Sequence, residues 1–488
     1  MTGDNEQPGR RWWIAGAVLI LGLGLGVTVW ALNRPEPLDP VFNDLGGGTA
    51  AEFVDGDLAW SLEPTTIGGF TSVAVFGTDG IFYALSTSPG LRELPPDGSP
   101  PAYSMYRSEN GSSWTEQPIE GLGTDLWLRS LAESGGNLYV VSTAPGVADP
   151  RASAISVGYS ADGSNWGSTT LDLDARQPVN LGEILGKSVQ PHVAAGPALV
   201  LAAASTRFFV DYNSLVPPGI LTEASYAQRS PTGVEVVDYG ERGDCQGILC
   251  PEGGNQTQVV WRATWAELGL QPESDAAIET FVSTDGGSTF QNTRNPFSLD
   301  HGIDAMFSVG DAVIAVVRPA AFSAVAPPLL SLWRTTDGIE WEEAQALPAM
   351  DVVMTVGEVD GKLVAIGQFL TTPVIAVSED GGATWTAVDI TATLPGVSGN
   401  DSRWITAASV GPFGAFLNIQ TWIQNAGVNQ EGRQIDQLLA SSDLVSWSVT
   451  PSSELASGGL FRLLAGSDEV LVQGYEINRG PVTLLGSR

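Results

Sequence analysis

One short string recurs along this chain, and it constrains the fold more than any other feature. Val282-Ser283-Thr284-Asp285-Gly286-Gly287-Ser288-Thr289-Phe290 returns almost unchanged as Val377-Ser378-Glu379-Asp380-Gly381-Gly382-Ala383-Thr384-Trp385. Shorter versions carry Asp162 with Trp166 and Asp337 with Trp341. Two degenerate versions carry Asn110 with Trp114 and Asp443 with Trp447. A seventh, Asp55 with Trp60, lacks the leading serine. The residue types describe a hairpin turn. An Asp carboxylate accepts hydrogen bonds from backbone N–H groups two or more residues on. Glycine supplies the positive φ that the turn needs, and a Ser or Thr hydroxyl adds local bonds. The closing aromatic opens the outgoing strand and tucks under the hairpin. One such string arises by chance; six or seven ending in an aromatic do not.

The aromatics stand at 60, 114, 166, 290, 341, 385 and 447, with steps of 54, 52, 124, 51, 44 and 62. Upstream of each turn lies an apolar hairpin: Thr71–Ser86, Ser130–Thr143, Ser188–Ser205, Ile303–Val317, Val352–Gln368, Ile405–Gln420 and Phe461–Tyr475. Each unit therefore reads as an inner hairpin, a third strand, the Asp turn and an outer strand. A period near 50 with four strands per unit is that of a β-propeller rather than a solenoid. The last hairpin is followed by Gly480–Leu485 as a third strand with no turn after it, while Asp55–Glu63 is an outer strand with no hairpin before it. Pairing the two closes a seventh blade from both termini and removes exposed sheet edges. The long step of 124 contains one clear inner hairpin, so residues 211–275 read as an insertion in blade three. An eighth blade, marked by Arg229-Ser230-Pro231-Thr232-Gly233-Val234-Glu235-Val236, is the alternative, and six blades a further one.

The turns resemble the Asp-box, or BNR, repeat of the sialidase-like β-propeller superfamily, whose form is Ser-x-Asp-x-Gly-x-Thr-aromatic. The resemblance covers residues 50–488. It implies an all-β, seven-bladed Asp-box propeller in which the boxes lie on the outer edge, away from the central site. The seven box positions (Asp55, Asn110, Asp162, Asp285, Asp337, Asp380 and Asp443) and their aromatics (Trp60, Trp114, Trp166, Phe290, Trp341, Trp385 and Trp447) are thereby structural, not catalytic. The superfamily includes sialidases and other glycosidases, sortilin-type receptors and photosystem assembly factors. Sialidases carry a Phe/Tyr-Arg-Ile-Pro motif before the first box. The nearest string here, Phe461-Arg462-Leu463-Leu464, lacks the proline and sits in the last hairpin. Arginine recognition of a carboxylate is geometrically demanding, so the missing motif argues against sialidase chemistry.

Outside the repeat, Trp12 to Leu32 holds no charged side chain. As a helix it spans roughly 31 Å, enough for a bilayer core. Trp12, Trp13 and Trp30 stand at its ends, and Arg10 and Arg11 precede it. The positive-inside bias puts residues 1–11 in the cytoplasm and the domain at 49–488 outside the cell; a cleaved signal peptide would export it equally. Residues 33–48 read as a tether rich in proline and glycine. In that setting Cys245 and Cys250 read as a disulfide, and Trp261 and Trp265 as residues that dock the insertion on a blade face. The formal net charge of −33 argues against a nucleic-acid partner. His192 and His301 stand without a partner motif and read as packing or surface residues. No nucleophile elbow, phosphate loop or metal motif is present, so neither a cofactor nor a metal is expected. The sequence thus points to a membrane-anchored, extracytoplasmic binding or scaffold module for a protein or glycan. The alternative is an exported glycoside hydrolase of sialidase-like fold with a non-standard site.

Overall fold

The structure is a computed structural model. It describes residues 59–64, 70–77, 80–88, 102–111, 113–122, 127–143, 154–173, 183–223, 225–230, 232–238, 258–270, 276–293, 297, 301–319, 329–390, 394, 402–423, 433–466, 468–477 and 480–487. The apolar segment 12–32, the tether 33–48, Asp55 and the cysteines at 245 and 250 lie outside them. Among the described residues no helix is long and apolar enough to cross a membrane.

The described chain is all-β, in small antiparallel sheets. Seven of them have four strands. Sheet one is Phe70–Phe76, Phe82–Ser88, Ala102–Ser108 and Thr115–Gln117. Sheet two is Trp127–Ser134, Asn137–Thr143, Ala154–Ser160 and Gly167–Asp172. Sheet three is Glu183–Gly196, Leu199–Asp211, Ala276–Ser283 and Gln291–Thr293. Sheet four is His301–Val309, Ala312–Pro319, Ser331–Thr335 and Glu342–Glu343. Sheet five is Val352–Val359, Lys362–Phe369, Thr372–Ser378 and Thr386–Val388. Sheet six is Ser402–Gly411, Gly414–Ile423, Arg433–Ser441 and Ser448–Pro451. Sheet seven joins Leu460–Ala465, Glu469–Glu476 and Gly480–Ser487 to Ala59–Pro64, which pairs antiparallel with Gly480–Ser487 from Ala59↔Ser487 to Pro64↔Val482.

The first strands touch in sequence order, from Phe70–Phe76 through each following sheet to Leu460–Ala465, which touches Phe70–Phe76 again. Sheets whose first strands meet around a common centre form a β-propeller. The core lies between successive sheets. Val364, Ile366 and Ile375 of sheet five pack with Ile405, Leu417, Ile419 and Leu439 of sheet six. Strands covered on both faces lose strict alternation, and Ala312–Pro319 shows this with six consecutive buried residues. In six sheets the first strand carries a β-bulge four or five residues before the first hairpin turn, skipping Ser72, Arg129, Asp304, Met354, Thr406 and Phe461 in turn. Sheet three differs. Its first two strands stay paired through Pro191↔Ala204 and run on, with the irregularity displaced to between Ile184 and Gly186.

That lengthened hairpin leads into residues 212–275. A three-stranded sheet of Ser225–Ser230, Gly233–Asp238 and Gln258–Thr264 forms there. The string at 229–236 is therefore no outer-edge turn. Ser230 and Gly233 close the hairpin between the first two strands of this small sheet. Trp265 is buried in the insertion's own core, with Tyr212, Val216, Ala227, Val234 and Val236, and Trp261 packs against the same cluster. The tryptophans thus hold the insertion together instead of docking it on a blade, apart from contact through Val210 at the end of sheet three's second strand.

Candidate functional site

Antiparallel order gives every sheet two ends. The turns between first and second strands share one end with the box turns between third and fourth strands. The links between second and third strands share the other end with the links from sheet to sheet. We call these the box end and the open end.

The box end is built from local bonds. In the box of sheet five, the Ser378 hydroxyl donates to Asp380 Oδ1 (2.7 Å) and accepts from the Gly382 N–H (2.8 Å). Asp380 also accepts from the Thr384 N–H (2.8 Å) and the Thr384 hydroxyl (2.5 Å). Ser283, Asp285, Gly287 and Thr289 repeat this pattern. Asp162 accepts from the N–H groups of Ser164 and Asn165, Asp337 from those of Ile339 and Glu340, and Asp443 from those of Val445 and Ser446. Asn110 holds the Ser113 N–H (2.9 Å) in sheet one. The indole N–H groups of Trp114, Trp166 and Trp385 donate to the carbonyls of Gly111, Gly163 and Gly382, which seats each ring beneath its turn. Phe290, Trp341 and Trp447 occupy the same place in their strings, Phe290 and Trp341 half-buried and Trp447 buried. Trp60 lies in the strand Ala59–Pro64.

These bonds consume the carboxylates. The Thr289 hydroxyl and N–H hold Asp285 down to about 2, and the Thr384 hydroxyl and N–H do the same for Asp380. Bonds from Asn165 and Ser164 pull Asp162 well below the ordinary carboxylate range, and the N–H groups of Ile339 and Glu340 lower Asp337. Burial pushes Asp443 up, but the N–H groups of Ser446 and Val445 outweigh it. A carboxylate held ionised and bonded within its own turn is a poor proton donor and carries no sign of acid–base work.

The boxes also join neighbouring sheets. The Trp166 N–H donates to Glu120 O (3.0 Å) and the Trp385 N–H to Gln345 O (3.2 Å), each from the chain leaving the preceding sheet. The Thr169 hydroxyl of sheet two donates to Gly287 O and Ser288 O of the next box. Space there is tight. A Cβ on Gly338, at φ +71°, would stand 2.4 Å from Val282 Cγ2 of the preceding sheet. Sheet six departs from the pattern: Leu444 occupies the position of glycine at φ +64°, with its side chain buried against sheet five.

The open end is different in kind. Five of the seven first turns at the box end have two residues. At the open end the links between second and third strands run over 89–101, 144–153, 212–275, 320–330 and 424–432, and only sheets five and seven have short ones. Loops placed on a rigid scaffold are where binding residues concentrate.

What the described residues show there is a chain of bonds crossing sheets three to six. His192 Nε2 lies 3.1 Å from Ile303 O of the next sheet. Burial brings this imidazole down to about 4 against the opposing effects of the Ile303 carbonyl and Asp304, so it is neutral at ordinary pH and Nε2 donates. Asp304 pairs with Arg318 (2.6 Å), whose guanidinium also donates to Asp351 O (2.9 Å) at the entry to sheet five. Asp351 Oδ2 accepts from the Leu370 N–H (3.0 Å). Gln368 donates to Leu370 O (3.0 Å) and accepts from the Ile405 N–H of sheet six (3.2 Å). Leu329, Leu370, Trp404, Tyr475 and Ile477, from sheets four to seven, stand exposed at this end. None of these residues belongs to a recognisable motif, and of them only His192 stood out in the sequence, as a packing or surface residue. Among the described residues no cluster of His, Cys, Asp or Glu could hold a metal ion.

No protein-family model and no curated protein matches the chain. Solved structures resemble it at low identity. YCF48 bound to D1 peptide is 13% identical over 89% of this chain and 96% of that chain, with a TM-score of 0.40. The intramolecular trans-sialidase from Ruminococcus gnavus is 13% identical over 74% of this chain and 94% of its own, with a TM-score of 0.34. The Trypanosoma rangeli sialidase in complex with sialic acid is 12% identical over 78% of this chain, with a TM-score of 0.31, and the chain spans 56% of that protein.

Proposed function

We propose that the chain is a seven-bladed propeller, held outside a plasma membrane by a helix over 12–32, whose open end binds an external macromolecule. The observation that carries this reading is the contrast between the two ends. One is closed by short turns whose hydroxyl, carboxylate and backbone N–H groups bond to one another. The other takes the long links and carries exposed apolar side chains on four successive sheets, where the box end exposes Ile339 and Val445 on two. Scattered exposed apolar residues are ordinary, but apolar groups gathered on one face mark an interaction site.

Binding without turnover is the activity this reading supports, because the boxes lock up their own carboxylates. The purified full chain, incubated with a panel of fluorogenic glycosides, is expected to release no fluorophore above the rate without protein. Turnover abolished by substitutions at the open end would replace the binding reading with the hydrolase one. In intact cells, external protease is expected to digest the region after residue 49; protection until the membrane is broken would reverse the topology.

A further inference from the structure

The face of sheet six that looks toward sheet seven changes character along its length. Nearer the box end it is apolar: Ala407, Phe416 and Leu438 pack there with Leu460 and Leu463 of sheet seven. Two further rows continue the same face at the open end. Trp404, Gln420 and Asp436 stand side by side across three strands, and Ser402, Trp422 and Gln434 form the next row. Arg403 and Thr421, one position off, project from the opposite face. Among the described residues neither indole enters a core between sheets; Trp404 is 37% exposed and Trp422 is half-buried. The chain entering sheet seven meets these rows with Gly458 and Gly459, which bring no side chain. A Cβ built on Gly459 would have one neighbour, Asp436 Oδ2 at 3.7 Å. Gln434 Nε2 donates to both oxygens of Asp436 (3.0 and 2.9 Å), which fixes the carboxylate. Between Trp404 and Asp436, the Gln420 side chain makes no bond among the described residues, and neither does either indole N–H.

We infer that these two rows form a platform for a neutral oligosaccharide, the indoles taking the C–H faces of its pyranose rings and Gln420, Gln434 and Asp436 their hydroxyls. The inference rests on the reading of the open end as a binding face, and adds a ligand class and a place on that face. The residue types select the ligand. A sugar ring presents C–H groups on its faces and hydroxyls at its rim, so it calls for an aromatic surface with amide and carboxylate donors and acceptors beside it. Local charge selects a neutral sugar over an acidic one. The two rows carry one carboxylate and no cation, because Arg403 belongs to the opposite face, so an anionic ligand would meet repulsion without a counter-charge. A purely apolar segment would desolvate Gln420 and Asp436 without giving them partners.

The test titrates the purified full chain by calorimetry, at low and high salt, with tetrasaccharides of glucose, mannose, galactose and N-acetylglucosamine, and with sialyllactose as the acidic comparison. At least one neutral tetrasaccharide is expected to bind, with an affinity that salt leaves unchanged, since no ion pair is formed. Trp404→Ala and Trp422→Ala each lower that affinity about tenfold or more. Gln420→Ala lowers it less, and Val445→Ser, at the box end, leaves it unchanged. Urea midpoints that match the parent chain separate lost binding from a lost fold. Neutral sugars that bind both tryptophan variants as well as the parent overturn the platform, and so does failure of all the neutral sugars to bind. Preference for sialyllactose, weakening as salt rises, overturns the neutral ligand. The open-end reading is scored separately, by selecting phage-displayed peptides on the full chain. Peptides that lose affinity for Leu329→Ser or Tyr475→Ser keep that reading when the platform fails. Peptides that depend on Val445 alone, or no binder of either class, take it down as well.

Discussion

The two ends of the sheets solve opposite problems with the same strands. At the box end most bonds are local: in the boxes of sheets three and five a hydroxyl, a carboxylate and N–H groups close within five residues, with the aromatic beneath. At the open end satisfaction is borrowed. The His192–Ile303, Arg318–Asp351 and Gln368–Ile405 bonds each cross from one sheet to the next. The bonds inside a turn can be copied once per sheet, and the contacts of a turn with the preceding sheet repeat with it. Borrowed bonds tie particular sheets together, so each differs from the next and the surface above them can be distinctive.

Four substitutions or conditions probe that contrast. The largest effect is expected where a box meets its neighbour. Gly338→Ala adds a Cβ at positive φ against Val282 and should cost about 2–4 kcal/mol in urea unfolding; a loss under half a unit would mean the seam is loose. Leu444→Gly tests the one box that breaks the rule. Relief of backbone strain opposes the loss of a buried leucine, and burial wins, so we expect a net loss of about 1–3 kcal/mol. A gain in stability would show that turn geometry outweighs packing even there.

Acid should weaken the box end first. Asp285 and Asp380 titrate lower folded than unfolded, so their stabilising effect is complete above roughly pH 4 and disappears as pH falls through about 2. Thermal melts between those limits should fall with pH, and less steeply in Asp285→Asn and Asp380→Asn. Equal slopes in the variants would move the acid sensitivity elsewhere. The smallest effect is expected at the open end, where Leu370→Gly should stabilise by about 1 kcal/mol or less. Destabilisation would give Leu370 a packing role that its exposure denies.

How much of this could be read in advance follows from the range of the interactions. Asp162, Asp285 and Asp380 bond to residues two to four positions on, so residue type and spacing carry the turn, and the apolar hairpins upstream announce the strands that it joins. The pairing of Ala59–Pro64 with Gly480–Ser487 was also legible, although far apart in sequence, because each segment was half of a repeated unit. The reach of the sheet-three hairpin was misjudged: Glu183, Ile184, Gly186 and Lys187 pair with residues 208–211, beyond the expected hairpin Ser188–Ser205. The tryptophans at 261 and 265 were misassigned, since an apolar pair fits a private core and a docking face equally well.

Repetition and local hydrogen-bonding chemistry were enough to specify the sheets, their turns and their order. Both act over a few residues and leave a periodic trace. The chain of bonds from His192 to Ile405 and the partial satisfaction of Asp351 arise only when sheets from distant stretches of chain meet. Side chains that bond across such a junction need no common spacing, so tertiary packing alone decided where the distinctive surface lies.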